Sequence, residues 1–349
     1  MFNRWLCLLL ILYPVFGAAW QTTVVRREQK VVKVDIDDDE TFSPRLENPA
    51  FQKDGPLVFL DEAHGNSHFN KAFAKLIAAD GFQVVSSVDE LTFERLANAR
   101  VLVIMNAGMY MPRKWHEAPS PLFIDREAAA IRDWIAVGGS LLFASGSVKE
   151  EAGQMLLERI GVQFYDTYIV DRELTTPPSP SSSPCRGLRF SRAKNTLGDH
   201  KILNGRSELE RLDSVCLDGI QAIRKAPDNA VTLIHYTEKA LLIPRDAFLE
   251  RRLSDEAKQL GANGKTETAV ATSPLTTNSP VPKSPVAMAF TLGKGRVVVI
   301  GTGSAISAVT LKRDPPDGAA PIVQKVGLAE ADNEKFTLNV MHWLAGLLD

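Results

Sequence analysis

Apolar and polar positions along this chain follow two periods in turn. From residue 56 onward, short continuous apolar runs at 56–61, 82–86, 101–106 and 140–145 alternate with stretches in which apolar residues recur every three or four positions. The first kind predicts strands buried on both faces, the second amphipathic helices. Helices are predicted at 67–79, with Phe69, Phe73, Leu76 and Ile77 on one face, at 89–97, at 125–137 with Ile131, Trp134 and Ile135 inward, and at 149–160. Gly81 and the pair Gly138-Gly139 stand where helix C-termini need a glycine. With a further strand at 164–170, strand and helix alternate about five times, the mark of a mainly parallel central sheet with helices on both faces. The predicted class is therefore α/β, with irregular insertions.

Beyond residue 170 the regularity lapses. A Pro/Ser tract lies within 173–186 and a Thr/Ser/Pro/Ala-rich tract at 261–285, both read as flexible insertions. Residues 230–237 and 241–243 are expected to pair with each other. Residues 286–292 and 296–301 are expected to form a hairpin through Gly293-Lys294-Gly295. A closing helix at 333–348 places Phe336, Val340, Trp343, Leu344 and Leu347 on one stripe. Near the start, a strand at 31–36 runs into Asp37-Asp38-Asp39-Glu40, whose spacing matches no EF-hand loop and which is read as a solvated linker face.

The first 19 residues carry an address pattern: Arg4, an apolar run from Trp5 to Phe16, then Gly17-Ala18-Ala19, with cleavage expected before Trp20. The run is shorter than the roughly 20 residues of a spanning helix; a retained anchor is the alternative. Cys7 follows Leu6 and is not read as a lipid site. Export leaves Cys185 and Cys216, which either form one disulfide or remain thiols. The expected organisation is a signal peptide at 1–19, an extension at 20–54 and one enlarged α/β domain at 55–349.

Composition narrows the function classes. The 349 residues carry 40 Lys plus Arg against 42 Asp plus Glu, a net charge of −2, so no broad basic field for nucleic acid exists. Asp61-Glu62-Ala63-His64 spells a helicase box and Gly264-Lys265-Thr266 resembles the end of a phosphate loop. Position 259, where that loop needs glycine, is Gln, so both are read as coincidence.

Ligands of open α/β sheets bind beyond the carboxyl ends of the strands. Asp61, Glu62, His64, Asn66 and His68 follow one predicted strand, Asn106 and Gly108 the next, and Ser145 and Gly146 the one after. Asp61, His64 and His68 are candidate metal ligands, with Glu62 as acid or base. The plainer reading has Asn66 or Ser67 capping the helix and His64 bonded to the adjacent loop. Ser145 follows a strand but lacks the Gly-x-Ser-x-Gly turn of a nucleophile, and His342 is read as a surface or packing residue.

The layout resembles the class I glutamine amidotransferase-like superfamily in its branches without the amidotransferase reaction, the trehalose-utilisation-type proteins and auxiliary proteins of gliding-type ABC transporters. The likeness rests on Val58-Phe59-Leu60-Asp61-Glu62-Ala63-His64-Gly65, on Trp134 with Gly138-Gly139-Ser140-Leu141-Leu142, on Asp199-His200-Lys201-Ile202-Leu203-Asn204-Gly205, and on Gly293-Lys294-Gly295 through Gly301 with Asn339, Trp343 and Leu344. It implies a flavodoxin-like three-layer sandwich. The superfamily's cysteine nucleophile would fall near Ser145, and its His/Glu pair near Gly301-Thr302-Gly303-Ser304, where neither stands. Thr302 also replaces the Asp frequent in the auxiliary branch. Thr302 and Ser304 thus join the ligand-binding candidates.

The resulting expectation is an exported, non-catalytic binding or scaffolding protein of an envelope-associated system. Its partner is a protein or a glycan, and no cofactor is required. The alternative is a secreted hydrolase, metal-dependent and carbohydrate-directed, using Asp61 to His68.

Overall fold

A computed structural model describes residues 34–52, 54–64, 69–106, 123–145, 153–165, 167–175, 185, 187–243, 279–313 and 320–349. The leader pattern, Asn66, His68, Gly108 and Gly146 lie outside the described residues. In chain order come β1 (Val34–Asp38), β2 (Leu57–Asp61), α1 (Lys71–Ala79), β3 (Gln83–Ser87), α2 (Phe93–Leu96), β4 (Val101–Met105), α3 (Asp125–Val137), β5 (Ser140–Ala144) and α4 (Gln154–Arg159). There follow β6 (Gln163–Phe164), β7 (Tyr168–Val170), β8 (Leu188–Ser191), α5 (Lys201–Asn204), β9 (Ser214–Leu217), β10 (Ile223–Lys225), β11 (Val231–His235), β12 (Leu241–Ile243) and β13 (Ser279–Pro280). The chain closes with β14 (Pro285–Leu292), β15 (Gly295–Ile300), β16 (Ala308–Arg313), β17 (Ile322–Gly327) and a helix, α6 (Asn333–Ala345).

The protein is a mixed α/β structure around a seven-stranded mixed sheet of order β11-β14-β15-β5-β4-β2-β3. The five strands from β15 to β3 are mutually parallel, and β14 and β11 extend the sheet antiparallel. Every residue of β4 and β5 is buried, as their unbroken apolar runs require. Alternate positions feed two separate cores. Leu60, Val103, Leu142 and Val298 join Phe73 of α1 and Phe336 and Leu344 of α6; Leu102, Ile104, Leu141 and Val299 join Ile131 and Trp134 of α3. The β14–β15 hairpin pairs Leu292 with Gly295, leaving Gly293-Lys294 as a two-residue turn; Gly293, at φ +60°, takes the left-handed conformation that such turns demand. No helix among the described residues is long and apolar enough to cross a membrane.

Several expectations change. The predicted strand at 164–170 is two pieces, β6 pairing with β10 and β7 with β12, so both lie outside the main sheet. β11 and β12 do not pair with each other: β11 joins β14, and β12 lies between β7 and β13. Part of the second expected insertion is ordered, since β13 pairs with β12 and β14 begins at Pro285. The acidic run is not a free linker. Asp37 and Asp38 belong to β1, which pairs with β16 in a three-stranded sheet, Asp39 pairs with Lys325 at 2.9 Å and Glu40 with Lys71 at 2.9 Å. Helix α1 starts at Lys71 with Asn70 as its N-cap residue, after Phe69 at φ +66°, rather than with Asn66 or Ser67 as cap. Leu347 lies beyond α6 and is exposed; of the two readings of His342, surface or packing, its burial agrees with packing.

Candidate functional site

The carboxyl ends of the parallel strands collect the described candidates on one edge. The chain moves outward from β2 to β3, then returns to β4 on the other side of β2, so strand order reverses between β2 and β4. Such a reversal opens a crevice at the carboxyl edge.

On the β2 side, Asp61 is fully buried, and its Oδ1 accepts a hydrogen bond from Ala63 N at 3.1 Å, which folds the chain back over the strand end. This turn brings His64 Nδ1 to 2.9 and 3.0 Å from the two oxygens of Asp61. Across the crevice, His64 Nε2 lies 3.4 Å from Glu127 Oε1. Glu127 sits in the first turn of α3, 5% exposed; its carboxylate also accepts from Leu91 N at 3.1 Å and from Ile124 N at 3.3 Å. The His64 ring stacks on Phe123, with centroids 4.1 Å apart. Burial opposes a charge on His64, but the hydrogen bond and charge of Asp61, together with Glu127, outweigh it and raise the imidazole above its ordinary value. Glu62, half-buried, is fixed through its N–H to Ser87 O at 2.8 Å.

Both His64 nitrogens therefore face carboxylates. Among the described residues no group of three His, Cys, Asp or Glu is placed to hold a metal ion. The third sequence candidate, His68, is outside them.

On the β15 side, Ser145 continues β5 through N–H to Ile300 O, and its hydroxyl donates to Gln221 Oε1. An amide oxygen is no base, so this contact does not activate the serine. Thr302 Oγ1 donates to Asp218 O at 2.6 Å, and Ser304 N–H donates back to Thr302 Oγ1 at 3.1 Å. Ser304 Oγ in turn accepts from Asp218 N at 3.0 Å. These hydroxyls lock the loop after β15 to the 218–221 segment. Asn106 ends β4 at φ +54°, and Gly303 between Thr302 and Ser304 gives its N–H to Ser145 O at 2.7 Å.

Sequence reasoning passed over Glu127, Phe123, Gln221 and Asp218. Glu127, following Asp125 and Arg126, reads as an ordinary first-turn acid of a helix, and nothing in the sequence marks it as facing inward. Gln221 and Asp218 sit in a segment without period. The Cys185–Cys216 disulfide, with Cα atoms 5.6 Å apart, ties the segment before β8 to β9, two residues ahead of Asp218 in the chain.

What fold and site define together is a mixed α/β protein with a polar carboxyl edge. No protein-family model and no curated protein matches the chain. Among solved structures it is similar to the mmIFT52 N-terminal domain at 13% identity and a TM-score of 0.47, covering 83% of this chain and 97% of that one. It is also similar to a protein assigned as a GMP synthase subunit, from Thermoplasma acidophilum, at 8% identity and a TM-score of 0.36, covering 84% and 94%. A cytoplasmic protein, STM1381 from Salmonella typhimurium LT2, stands at 14% identity and a TM-score of 0.36, covering 72% and 87%. At such scores the likenesses carry no argument about activity.

Proposed function

We propose that this is an exported, non-catalytic binding or scaffolding protein of an envelope-associated system, whose protein or glycan partner docks at the carboxyl edge of the sheet. Its architecture in this reading is the flavodoxin-like three-layer sandwich of the non-amidotransferase glutamine amidotransferase-like branch. The order β3-β2-β4-β5-β15 among the parallel strands supports that architecture. The observation that carries the function is the state of the two groups a hydrolase would need free. The Ser145 hydroxyl donates to an amide oxygen, and His64 is clasped between Asp61 and Glu127. A site built this way orients and holds; it does not supply a nucleophile with a base. Export is supported by the leader pattern at 1–19, and the Cys185–Cys216 disulfide is compatible with it.

The test is a thermal melt of the chain from Trp20 onward, with and without chelator, against divalent metals, sugars and envelope extract proteins. A ligand that binds only the folded state raises the midpoint. A rise with a sugar or a purified envelope protein, indifferent to chelator, is expected. A metal-dependent rise that disappears in His64→Ala, joined to hydrolysis of a glycoside, overturns the reading in favour of the secreted hydrolase.

A further inference from the structure

The amino edge of the parallel sheet, opposite the site described above, gathers cations. Arg100 precedes β4, and Arg296 lies at the start of β15; the register Val101–Ser140–Arg296 sets both beside the first residue of β5. Arg296 donates from Nη1 to Trp343 O at 2.7 Å, and its guanidinium lies 5.3 Å from the centre of the Trp343 ring. The His200 ring meets the same indole edge-on, with centroids 5.2 Å apart, and Lys201 follows at the start of α5. The C-terminus of α6 favours cations, yet of the three only Arg296 bonds its carbonyls.

Donors at this edge exceed the acceptors offered to them. Arg100, half-buried, makes one side-chain hydrogen bond among the described residues, from Nη1 to Gly138 O at 2.9 Å. The Lys201 ammonium, exposed, makes none among them. The Ser140 hydroxyl, fully buried, also lacks a partner among the described residues, which is unusual for such a group. One carboxylate answers the three cations. Asp349, 75% exposed, accepts from Arg296 Nη2. That hydrogen bond and the charge of Arg296, followed by the charges of Lys201 and Arg100, hold its carboxyl below the ordinary range. The same positive field acts on its neighbours. Arg100 is lowered by burial and then by Arg296, and His200 by burial, with Arg296 and Lys201 adding to it against Asp199.

We propose that this edge binds a phosphomonoester group, which takes Arg296 over from Asp349 and engages Arg100 and Lys201 as well. Asp349 is then both the stand-in for the ligand and its competitor. A carboxylate brings two oxygens and one charge. A phosphomonoester brings three terminal oxygens and about −1.5 to −2 charges at neutral pH, and the guanidinium fork matches it. The site is open to solvent and lies on the edge away from the proposed docking edge, so it stands independently of that reading.

The test uses the full chain at about pH 7.5, where a phosphomonoester carries nearly two charges. The ring resonances of His200, assigned by their loss in His200→Gln, are followed during titration with methyl phosphate, methyl sulfate or sodium chloride at matched ionic strength. A saturable shift is expected with methyl phosphate, a weaker one with methyl sulfate and none with chloride. Asp349→Asn, which removes the competitor, should tighten methyl phosphate binding about threefold, the worth of an exposed ion pair. Lys201→Gln and Arg100→Gln should each weaken it by about as much, the thermal midpoint without ligand reporting that each variant is folded. Equal shifts in chloride would reduce the effect to screening and overturn the site. Methyl sulfate binding as tightly as methyl phosphate would overturn the phosphomonoester assignment. An Asp349→Asn variant that binds no more tightly than the native chain would remove Asp349 from the site, and the proposal with it.

Discussion

His342 Nε2 lies 2.6 Å from Asp80 Oδ2, and each of the two side chains is 1% exposed. The contact joins α6 to the residue that caps α1, and Asp80 Oδ1 also accepts Ala50 N at 2.7 Å. One carboxylate therefore fastens three segments far apart in the chain. Removing the carboxylate leaves the buried His342 Nε2 and the Ala50 N–H without their acceptor, at about 3 kcal/mol in all. Asp80→Ala is expected to lower the unfolding free energy in urea by that amount, and Asp80→Asn, which keeps an acceptor for Ala50 N, by less. A loss under about 1 kcal/mol for the alanine variant would show the pair to be dispensable.

His64 makes stability depend on pH in a stated direction. Its imidazole is raised above the ordinary value, against its burial, by Asp61 and then Glu127. The folded state therefore keeps this proton more tightly than the unfolded chain. The stabilisation is complete below the unfolded value of about 6.5 and is lost as pH rises through the folded one. As pH rises above about 6.5, the melting midpoint of the native protein should fall more steeply than that of His64→Gln. Parallel curves would mean that His64 does not carry the charge assigned to it.

The Cys185–Cys216 bridge spans 31 residues of sequence and anchors β9, whose Cys216 is buried. Closing a loop of that size removes unfolded-state entropy worth about 3–4 kcal/mol. Unfolding in guanidinium with and without a reductant is the measurement. A loss of roughly that size is expected, and Cys185→Ser should reproduce it in the absence of reductant. Equal midpoints in both conditions would remove the bridge from the account of stability.

Periodicity located the main sheet because its strands and helices are each dominated by one environment. Val101–Met105 is buried throughout and reads as an apolar run; Asp125–Val137 carries Ile131, Trp134 and Ile135 on one face and reads as a helix. What periodicity cannot supply is partnership. Val231–His235 and Leu241–Ile243 are adjacent in sequence, yet Ala287 and Met288 take the first, and Ile169 and Val170 the second. β16 and β17 went unpredicted because Lys312, Gln324 and Lys325 interrupt their apolar positions, as befits a sheet with one wet face. The places of Asp61, His64, Asn106 and Ser145 were legible from strand ends, whereas Thr302 and Ser304 came in through the family resemblance. Glu127 and Gln221 were not legible, since nothing in a single sequence marks a charged or amide residue as facing inward.

Asn333 sets the last expectation. Its side chain satisfies three backbone groups: it accepts from Cys216 N at 2.9 Å and donates to Cys216 O at 2.8 Å and Gly327 O at 2.9 Å. Asn333→Ala leaves all three buried without these partners and should cost about 3 kcal/mol. Asn333→Asp is nearly isosteric and still accepts from Cys216, but at neutral pH it sets a carboxylate oxygen against two carbonyl oxygens. The aspartate variant should therefore be no more stable than the alanine one at about pH 7. Burial and the two carbonyls raise such a carboxyl's pKa, and once protonated it donates where the amide did. On lowering the pH to about 4.5 the aspartate variant should gain stability relative to native, as its carboxyl takes up the proton, while the alanine variant should not. Urea titrations of the three proteins at both pH values decide the matter, and an aspartate variant as stable as the native protein at neutral pH would refute the clasp.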